Sequence, residues 1–159
     1  MSDDLRLPAI HHVGIVVADV TSALADFERN WGVPRAGSQE VPVADAMVSG
    51  KKTDFTAHYG FLAAGETQIE LISPVSGDSP YATFLRERGE GVHHLAFVVA
   101  SIDKQIEKLG QAGQPCAVTT NAEVPGLLRF VYAEGAGHGA LIELIEMASG
   151  RTGAGFGLI

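Results

Sequence analysis

The sequence has little of what would tie the protein to an oxidising compartment or to a polyanionic partner. Cys116 is the only cysteine among 159 residues, so no disulfide can form within the chain. A globular chain of this size without disulfides is typical of the reducing cytoplasm, where we expect this protein. Eleven lysines and arginines stand against 19 aspartates and glutamates, giving a formal net charge of −8. Because nucleic acids and anionic membranes bind basic surfaces, we expect neither as a partner.

Long apolar runs are also lacking. No stretch reaches the roughly 20 apolar residues that span a bilayer. The acidic start Met1–Asp4 differs from the basic start of a secretory signal. Hydrophobic residues still make up 46% of the chain, enough for one substantial core. We therefore expect one domain over residues 1–159 that acts on a small molecule.

The most informative feature of the sequence is an internal repeat. The segment Ile10–Ala18 reappears as Val92–Ala100, and Gln68–Ile72 is matched by Leu141–Ile145. Each copy carries a pair of histidines near its start and a glutamate near its end. Folding the copies against each other would bring two imidazoles and two carboxylates together, which is a donor set for a divalent metal ion.

The two copies predict the same order of elements. A β-branched run is followed in the first copy by Asp19 and a helical spacing of apolar residues, and in the second copy by Ser101 and a similar spacing. Three strand-like segments then follow each helix, which predicts a βαβββ module twice, with equivalent loops expected at residues 49–54 and 121–126. The predicted parts are module one at residues 7–75, a linker helix within 76–90, module two at 91–148 and a C-terminal tail at 149–159.

Four motifs resemble those of the vicinal oxygen chelate superfamily, which includes glyoxalases, bleomycin resistance proteins and dioxygenases. The resemblance runs from about Leu7 to Met147 and implies an α+β fold. In that fold, two tandem βαβββ modules form a cupped, partly closed mixed sheet around a metal site. The motifs are Ile10–Ile15, Gln68–Pro74, Gly91–Phe97 and Ala140–Leu144.

The resemblance also implies the metal ligands. The ligand histidine of the family precedes a small apolar pair, which carries over to His12 and His94, with Glu70 and Glu143 completing the set. Two imidazoles and two carboxylates suit one Co, Ni, Zn, Mn or Fe(II) ion per site. Open metal positions would take two neighbouring substrate oxygens while an adjacent C–H proton is removed. Because side chains alternate along a strand, we expect His93 to point away from His94, or else His11 and His93 to pack against the ligand histidines and fix their orientation.

Within the superfamily, the sequence is most similar to the methylmalonyl-CoA epimerase family, through Ser79–Leu85 and Gly91–His94. This similarity implies a divalent-metal-dependent isomerase that removes a proton next to a carbonyl through a metal-stabilised enolate. The substrate would be an acyl-CoA or another thioester or carbonyl compound, and the protein would form a homodimer. Glu143 is the first choice for proton transfer, with Glu70 opposite it.

The sequence departs from the epimerase family on the third strand. The epimerases use a further glutamate there, and the corresponding position falls near Tyr59 with His58 beside it, so we expect these two residues to contact substrate.

Two alternative functions remain open from the sequence. The first is a lyase that acts on a thiol hemithioacetal, because the bare order of ligands resembles the bacterial glyoxalase I family. The second is a non-catalytic protein that binds an antibiotic or metabolite. Tight metal binding would favour an enzyme.

Overall fold

The computed structural model describes residues 6–114, 116–134 and 138–150. The predicted tail beyond Gly150 lies outside the described residues. Within them, eight strands and three helices follow the predicted order. The elements are β1 (His12–Val16), α1 (Val20–Trp31), β2 (Arg35–Val48), β3 (Lys51–Ala64), β4 (Thr67–Gly77), α2 (Pro80–Arg88), β5 (Gly91–Val98), α3 (Ile102–Gln111), β6 (Ala117–Val124), β7 (Leu128–Glu134) and β8 (Leu141–Met147).

Each of the three helices begins at a side chain that caps it. The carboxylate of Asp19 and the hydroxyls of Ser79 and Ser101 accept hydrogen bonds from the backbone amide three residues further on. These contacts satisfy amides that have no partner inside the helix. Helix α1 then ends at Gly32, whose φ of 64° suits a residue without a side chain.

The strands form one closed mixed sheet in the order β1-β4-β3-β2-β6-β7-β8-β5. The expectation of an α+β fold with a cupped mixed sheet is confirmed, and the sheet closes completely. Both halves use the same internal order, with β1 parallel to β4 and β5 parallel to β8. The halves meet along the antiparallel pair β1 and β5, and again through two residue pairs between β2 and β6.

The β2–β3 hairpin is longer than the sequence suggested. Residues 49–54 were expected to form a loop, but Lys51 already pairs with Val48. Ser49 and Gly50 have φ angles of 49° and 78°, the left-handed pair that a two-residue hairpin turn needs. The polar start of β3 is solvent-exposed and includes Lys52, which pairs with Asp45 at 2.7 Å. Because this part of β3 buries neither face, its sequence lacks the apolar alternation that predicts a strand.

Residues 121–126, the equivalent loop of the second half, are also partly strand. Strand β6 continues to Val124, and the turn contains Gly126 with a φ of 72°. Asn121 pairs with Val131, and Val124 pairs with Leu128. Pairing with β7 therefore extends β6 beyond the segment that its own apolar residues predicted.

Three apolar clusters hold the elements together. One lies under α1, where Val20 and Leu24 pack on Leu62 and Leu71. Another lies under α3 around Ile102. The largest fills the inside of the barrel.

Helix α2 closes the barrel rather than merely linking its halves. It belongs to the cluster inside the barrel through Tyr81, which is 1% exposed, with Phe84 and Leu85 packed against the same cluster. The predicted linker helix therefore supplies part of the interior.

None of the described helices has the length and apolar character needed to cross a membrane. The expected homodimer and the expected cytoplasmic location stay predictions.

Gly60 sets the distance between α1 and β3. A Cβ atom at this position would lie 2.6 Å from Val20 Cγ1 and 2.9 Å from Leu24 Cδ1, both of which are buried. We expect Gly60→Ala to lower the free energy of unfolding by about 1 to 3 kcal/mol, because α1 must shift. Gly37→Ala is the matched control, since a Cβ there meets nothing within 4 Å. Urea denaturation measures both, and equal stability of the two variants would contradict the role of Gly60.

Candidate metal centre

The two histidines that the family resemblance implies as ligands meet at the seam between β1 and β5. His12 pairs across the seam with Ala96, and His94 pairs with Gly14, so a small residue stands opposite each imidazole. A Cβ atom on Gly14 would lie 2.0 Å from His94 Cε1. The imidazole of His94 therefore occupies the space that any side chain at position 14 would need.

A bulge in β5 changes the expected direction of His93. Gly14 pairs with His94, whereas the next residue, Ile15, pairs with Val92, so His93 is the extra residue of the β1–β5 pairing. The sequence predicted that His93 and His94 point to opposite faces. Instead, both side chains are buried, and their Nδ1 atoms lie 3.0 Å apart. The local bulge breaks the alternation on which that prediction depended.

The four predicted ligands converge in the structure. The Nε2 atoms of His12 and His94 lie 3.0 Å apart. Glu70 Oε2 lies 3.3 and 3.4 Å from these two nitrogens, and Glu143 Oε2 lies 3.1 and 3.2 Å from them. All four residues are at most 5% exposed. Each half of the repeat thus contributes one imidazole and one carboxylate to a single buried centre.

These distances fit ligands around a shared ion. Donor atoms about 2.1 Å from one ion lie roughly 3.0 to 3.4 Å apart when they are neighbours in an octahedral or tetrahedral set. Glu143 Oε2 is buried and makes no hydrogen bond with a described residue, although two imidazole nitrogens are close to it. A metal ion would satisfy this oxygen and both nitrogens together. His12, Glu70 and His94 alone already form a group that could hold an ion.

The charges of the centre fit a divalent cation as well. Burial lowers the pKa of the His12 imidazole, but Glu70 and Glu143 outweigh burial and raise the pKa to about 10. The pKa of His94 is also raised, chiefly by Glu143 against the effect of burial. Burial raises the pKa of the Glu143 carboxyl, yet the two imidazoles hold it well below its usual range. The centre therefore favours two positive charges between two carboxylates, which one divalent ion would supply after displacing the protons.

A second histidine supports each predicted ligand. The Nδ1 atoms of His11 and His12 lie 2.9 Å apart, matching the 3.0 Å between His93 and His94. A metal-bound Nε2 leaves the Nδ1–H of the ligand as a donor, and the neighbouring histidine accepts it. Burial lowers the pKa of His93 to about 3, which keeps its imidazole neutral and able to accept. These contacts fix the orientation of both ligand rings.

The structure brings one of the two predicted substrate contacts to the centre. Tyr59 lines a cavity of about 40 Å³ together with Glu70 and Glu143. His58, the adjacent residue on β3, does not line this cavity, and its Nε2 lies 2.6 Å from Ser38 Oγ. Alternation along the strand places the two side chains on opposite faces.

Two further tyrosines line the same cavity and were not assigned to the site from sequence. Tyr59 donates a hydrogen bond to the hydroxyl of Tyr81 at 3.2 Å, and the hydroxyls of Tyr81 and Tyr132 lie 2.7 Å apart. We call these three residues the tyrosine trio. Burial raises the pKa of all three phenols, so they remain protonated. In the sequence, the three residues share only the fact that they are the three tyrosines of the chain.

The repeated modules and the four buried donors define the class of protein: a paired βαβββ barrel with a candidate metal centre between its halves. The family model described as Glyoxalase/Bleomycin resistance protein/Dioxygenase superfamily matches residues 11–132. The chain belongs to this superfamily, which confirms the resemblance seen in the repeat motifs.

Relatives with an assigned activity are methylmalonyl-CoA epimerases. The ethylmalonyl-CoA/methylmalonyl-CoA epimerase of Cereibacter sphaeroides is 29% identical over 65% of this chain and 70% of its own length. The mitochondrial methylmalonyl-CoA epimerase of Homo sapiens is 31% identical over 65% of this chain, and the match spans 53% of the human protein. An uncharacterised Bacillus subtilis relative, YqjC, is 29% identical over 63% of this chain and 64% of its own length.

Solved structures of methylmalonyl-CoA epimerases share the fold of this chain. The methylmalonyl-CoA epimerase of Mycobacterium tuberculosis is 26% identical, with a TM-score of 0.67, over 93% of each chain. A methylmalonyl-CoA epimerase in complex with methylmalonyl-CoA and NH4+ shares the fold at 22% identity, with a TM-score of 0.66 over 92% of this chain and 99% of that one.

The close approach of Gly14 to His94 allows a sharp test of the centre. We expect Gly14→Ala to weaken metal binding about 10- to 100-fold, because the new methyl group displaces the imidazole of a ligand. Gly91→Ala on β5 is the matched control, since a Cβ there meets nothing within 4 Å. Calorimetric titration with Co(II) measures both affinities. Unchanged affinity in Gly14→Ala would show that His94 does not bind the ion in this position.

Proposed function

We propose that this protein is a divalent-metal-dependent epimerase or isomerase that transfers a proton at the carbon next to a thioester carbonyl. One observation carries the proposal: the two carboxylates of the donor centre also line the adjacent cavity. Glu70 and Glu143 therefore face whatever molecule the cavity holds. An epimerase needs a group on each side of the reacting carbon, one to take the proton and one to return it.

The metal ligands in this proposal are His12, Glu70, His94 and Glu143. A Zn, Co, Ni, Mn or Fe(II) ion bound there would act as a Lewis acid that stabilises negative charge on a substrate oxygen. The similarity to methylmalonyl-CoA epimerases supports an acyl-CoA or related thioester as substrate.

The chain itself supplies the proton transfer. Glu143 is ionised in the metal-free centre because the neighbouring imidazoles lower the pKa of its carboxyl, and a bound divalent ion would keep it ionised. It takes the proton from the substrate carbon and becomes a carboxylic acid. Glu70 delivers a proton taken up from solvent to the opposite face of the resulting enolate, and loss of the proton on Glu143 to solvent restores both carboxylates. The apolar walls around both carboxylates exclude bulk water, which strengthens their electrostatic effect on the reacting carbon.

A glyoxalase-type lyase that acts on a thiol hemithioacetal is the second candidate. Glu70 and Glu143 are the only acidic residues among the described residues lining the cavity, and Tyr59 lies on the third strand facing it. Proton transfer would then depend on the two ligand carboxylates alone. That arrangement suits movement of a proton between two adjacent carbons as well as epimerisation at one carbon.

The test is hydrogen exchange in heavy water. The metal-loaded protein is incubated separately with methylmalonyl-CoA and with the hemithioacetal of methylglyoxal and glutathione, and deuterium at carbon is followed by mass spectrometry. Label in a recovered thioester with an unchanged skeleton supports the epimerase, whereas conversion of the hemithioacetal to a 2-hydroxyacyl thioester supports the lyase. Tight metal binding without exchange in either compound, or in any other 2-substituted acyl thioester, would refute both and favour a binding protein.

Glu143→Gln tests the assignment of the base. The amide keeps an oxygen that can bind metal but cannot take a proton, so we expect exchange to slow by about 100-fold or more. The metal content, measured by elemental analysis, should fall much less than the rate. Glu123→Gln removes an exposed carboxylate on β6 and serves as the control. Wild-type exchange in Glu143→Gln would remove Glu143 from the mechanism.

A further inference from the structure

The cavity beside the metal centre has an unusual lining for a site expected to take an anionic acyl group. Its described lining residues include two carboxylates but no lysine, arginine or histidine. With a volume of about 40 Å³, it has room for roughly three water molecules, which is the scale of a short acyl head. The remaining walls are the tyrosine trio and six apolar side chains: Val41, Val124, Leu127, Leu128, Phe130 and Ile145.

The tyrosine trio supplies the uncharged polar groups of this cavity. Tyr59 comes from β3, Tyr81 from α2 and Tyr132 from β7, so one hydroxyl comes from each half of the barrel and one from the helix between them. All three residues are at most 7% exposed. The hydroxyls form a chain with separations of 3.2 and 2.7 Å.

One hydroxyl hydrogen of the tyrosine trio has no acceptor within the trio. Three hydroxyls carry three hydrogens, and two hydrogen bonds join them. Because Tyr59 donates to Tyr81, the third hydrogen belongs to either Tyr81 or Tyr132, depending on which of these two donates to the other. A buried donor strongly favours an acceptor. The cavity that all three tyrosines line is where a substrate oxygen can provide one.

The charges of the metal centre favour a substrate whose binding oxygen is uncharged. A divalent ion and the carboxylates of Glu70 and Glu143 sum to zero, and both ligand imidazoles are neutral when bound to metal. A substrate carboxylate would therefore bring one negative charge that no described lining residue compensates. Burying such a charge without a partner is costly. A hydroxyl or carbonyl oxygen adds no charge and accepts the spare hydrogen.

We propose that the cavity binds a 2-hydroxyacyl thioester, whose two neighbouring oxygens are uncharged, and that the tyrosine trio donates the hydrogen bond that selects it. This inference rests on the proposed function and names its substrate class. It separates the protein from relatives named for substrates with a 2-carboxyacyl group, such as methylmalonyl-CoA. Tyr81 and Tyr132 join Tyr59 as substrate-binding residues.

A matched pair of thioesters tests the selection. Lactoyl-CoA and methylmalonyl-CoA share the thiol, the methyl group and the hydrogen on carbon 2, and differ in a hydroxyl against a carboxylate at that carbon. We expect the Co(II)-loaded protein to bind lactoyl-CoA at least tenfold more tightly in calorimetric titrations. Equal or tighter binding of methylmalonyl-CoA would overturn the inference.

Removing the spare donor tests the role of the trio. We expect the triple variant Tyr59→Phe, Tyr81→Phe and Tyr132→Phe to bind lactoyl-CoA about tenfold more weakly, with an unchanged content of Co(II). All three hydroxyls are removed, because Tyr59 would itself have a spare hydrogen if only its acceptor Tyr81 were replaced. Thr119→Val is the control, because its hydroxyl donates to the backbone oxygen of Tyr132 and does not line the cavity. Unchanged affinity in the triple variant would show that the trio does not bind substrate. If the triple variant fails to fold, the preference of the wild-type protein still decides the substrate class.

Heavy-water exchange separates the inference from the proposed function. Tighter binding of lactoyl-CoA, with deuterium entering its carbon 2, supports both. Exchange confined to methylmalonyl-CoA, together with its tighter binding, supports the epimerase and rejects the inference. Selective binding of lactoyl-CoA without exchange in either thioester supports the binding preference but refutes proton transfer on these thioesters.

Discussion

The structure depends on bringing two buried carboxylates close to the same pair of imidazole nitrogens. Glu70 and Glu143 would repel each other in an apolar interior without positive charge between them. Protons on His12 and His94, or one divalent ion, supply that charge. Each half of the repeat carries only one imidazole and one carboxylate, so the centre exists only where β1 and β5 meet. The same pairing, together with that of β2 and β6, closes the barrel.

Several features of the fold serve this meeting point. Small residues stand opposite both ligand imidazoles, and the bulge at His93 turns a second histidine toward the interior. Helix α2 then seals the barrel through Tyr81, whose hydroxyl connects to one tyrosine in each half. The resulting cavity is small, largely apolar and directly bounded by the two ligand carboxylates. Such a site suits proton transfer at a carbon next to a carbonyl, because it keeps water away from the carboxylates.

The repeat in the sequence predicted the two modules and the convergence of two imidazoles with two carboxylates, because matched positions meet when one copy packs against the other. The mixed sheet and the choice of His12 and His94 as ligands were implied by the resemblance to the superfamily. The sequence did not predict the bulge, since the extra residue at His93 depends on pairing with β1 almost 80 residues away along the chain. It placed Tyr59 at the substrate but did not predict the hydroxyl contacts of Tyr59, Tyr81 and Tyr132, which are separated by 22 and 51 residues along the chain. Contacts of this kind follow from the closed barrel and leave no local pattern.

Anomalous diffraction from crystals of the protein loaded with Co(II) would test the metal centre most directly. We expect one cobalt ion per chain, bonded to Nε2 of His12 and His94 and to a carboxylate oxygen of both Glu70 and Glu143. We also expect part of the coordination sphere to face the cavity. A cobalt ion bound elsewhere, or a centre that stays empty at saturating Co(II), would contradict the claim that the two halves of the repeat join to hold a metal.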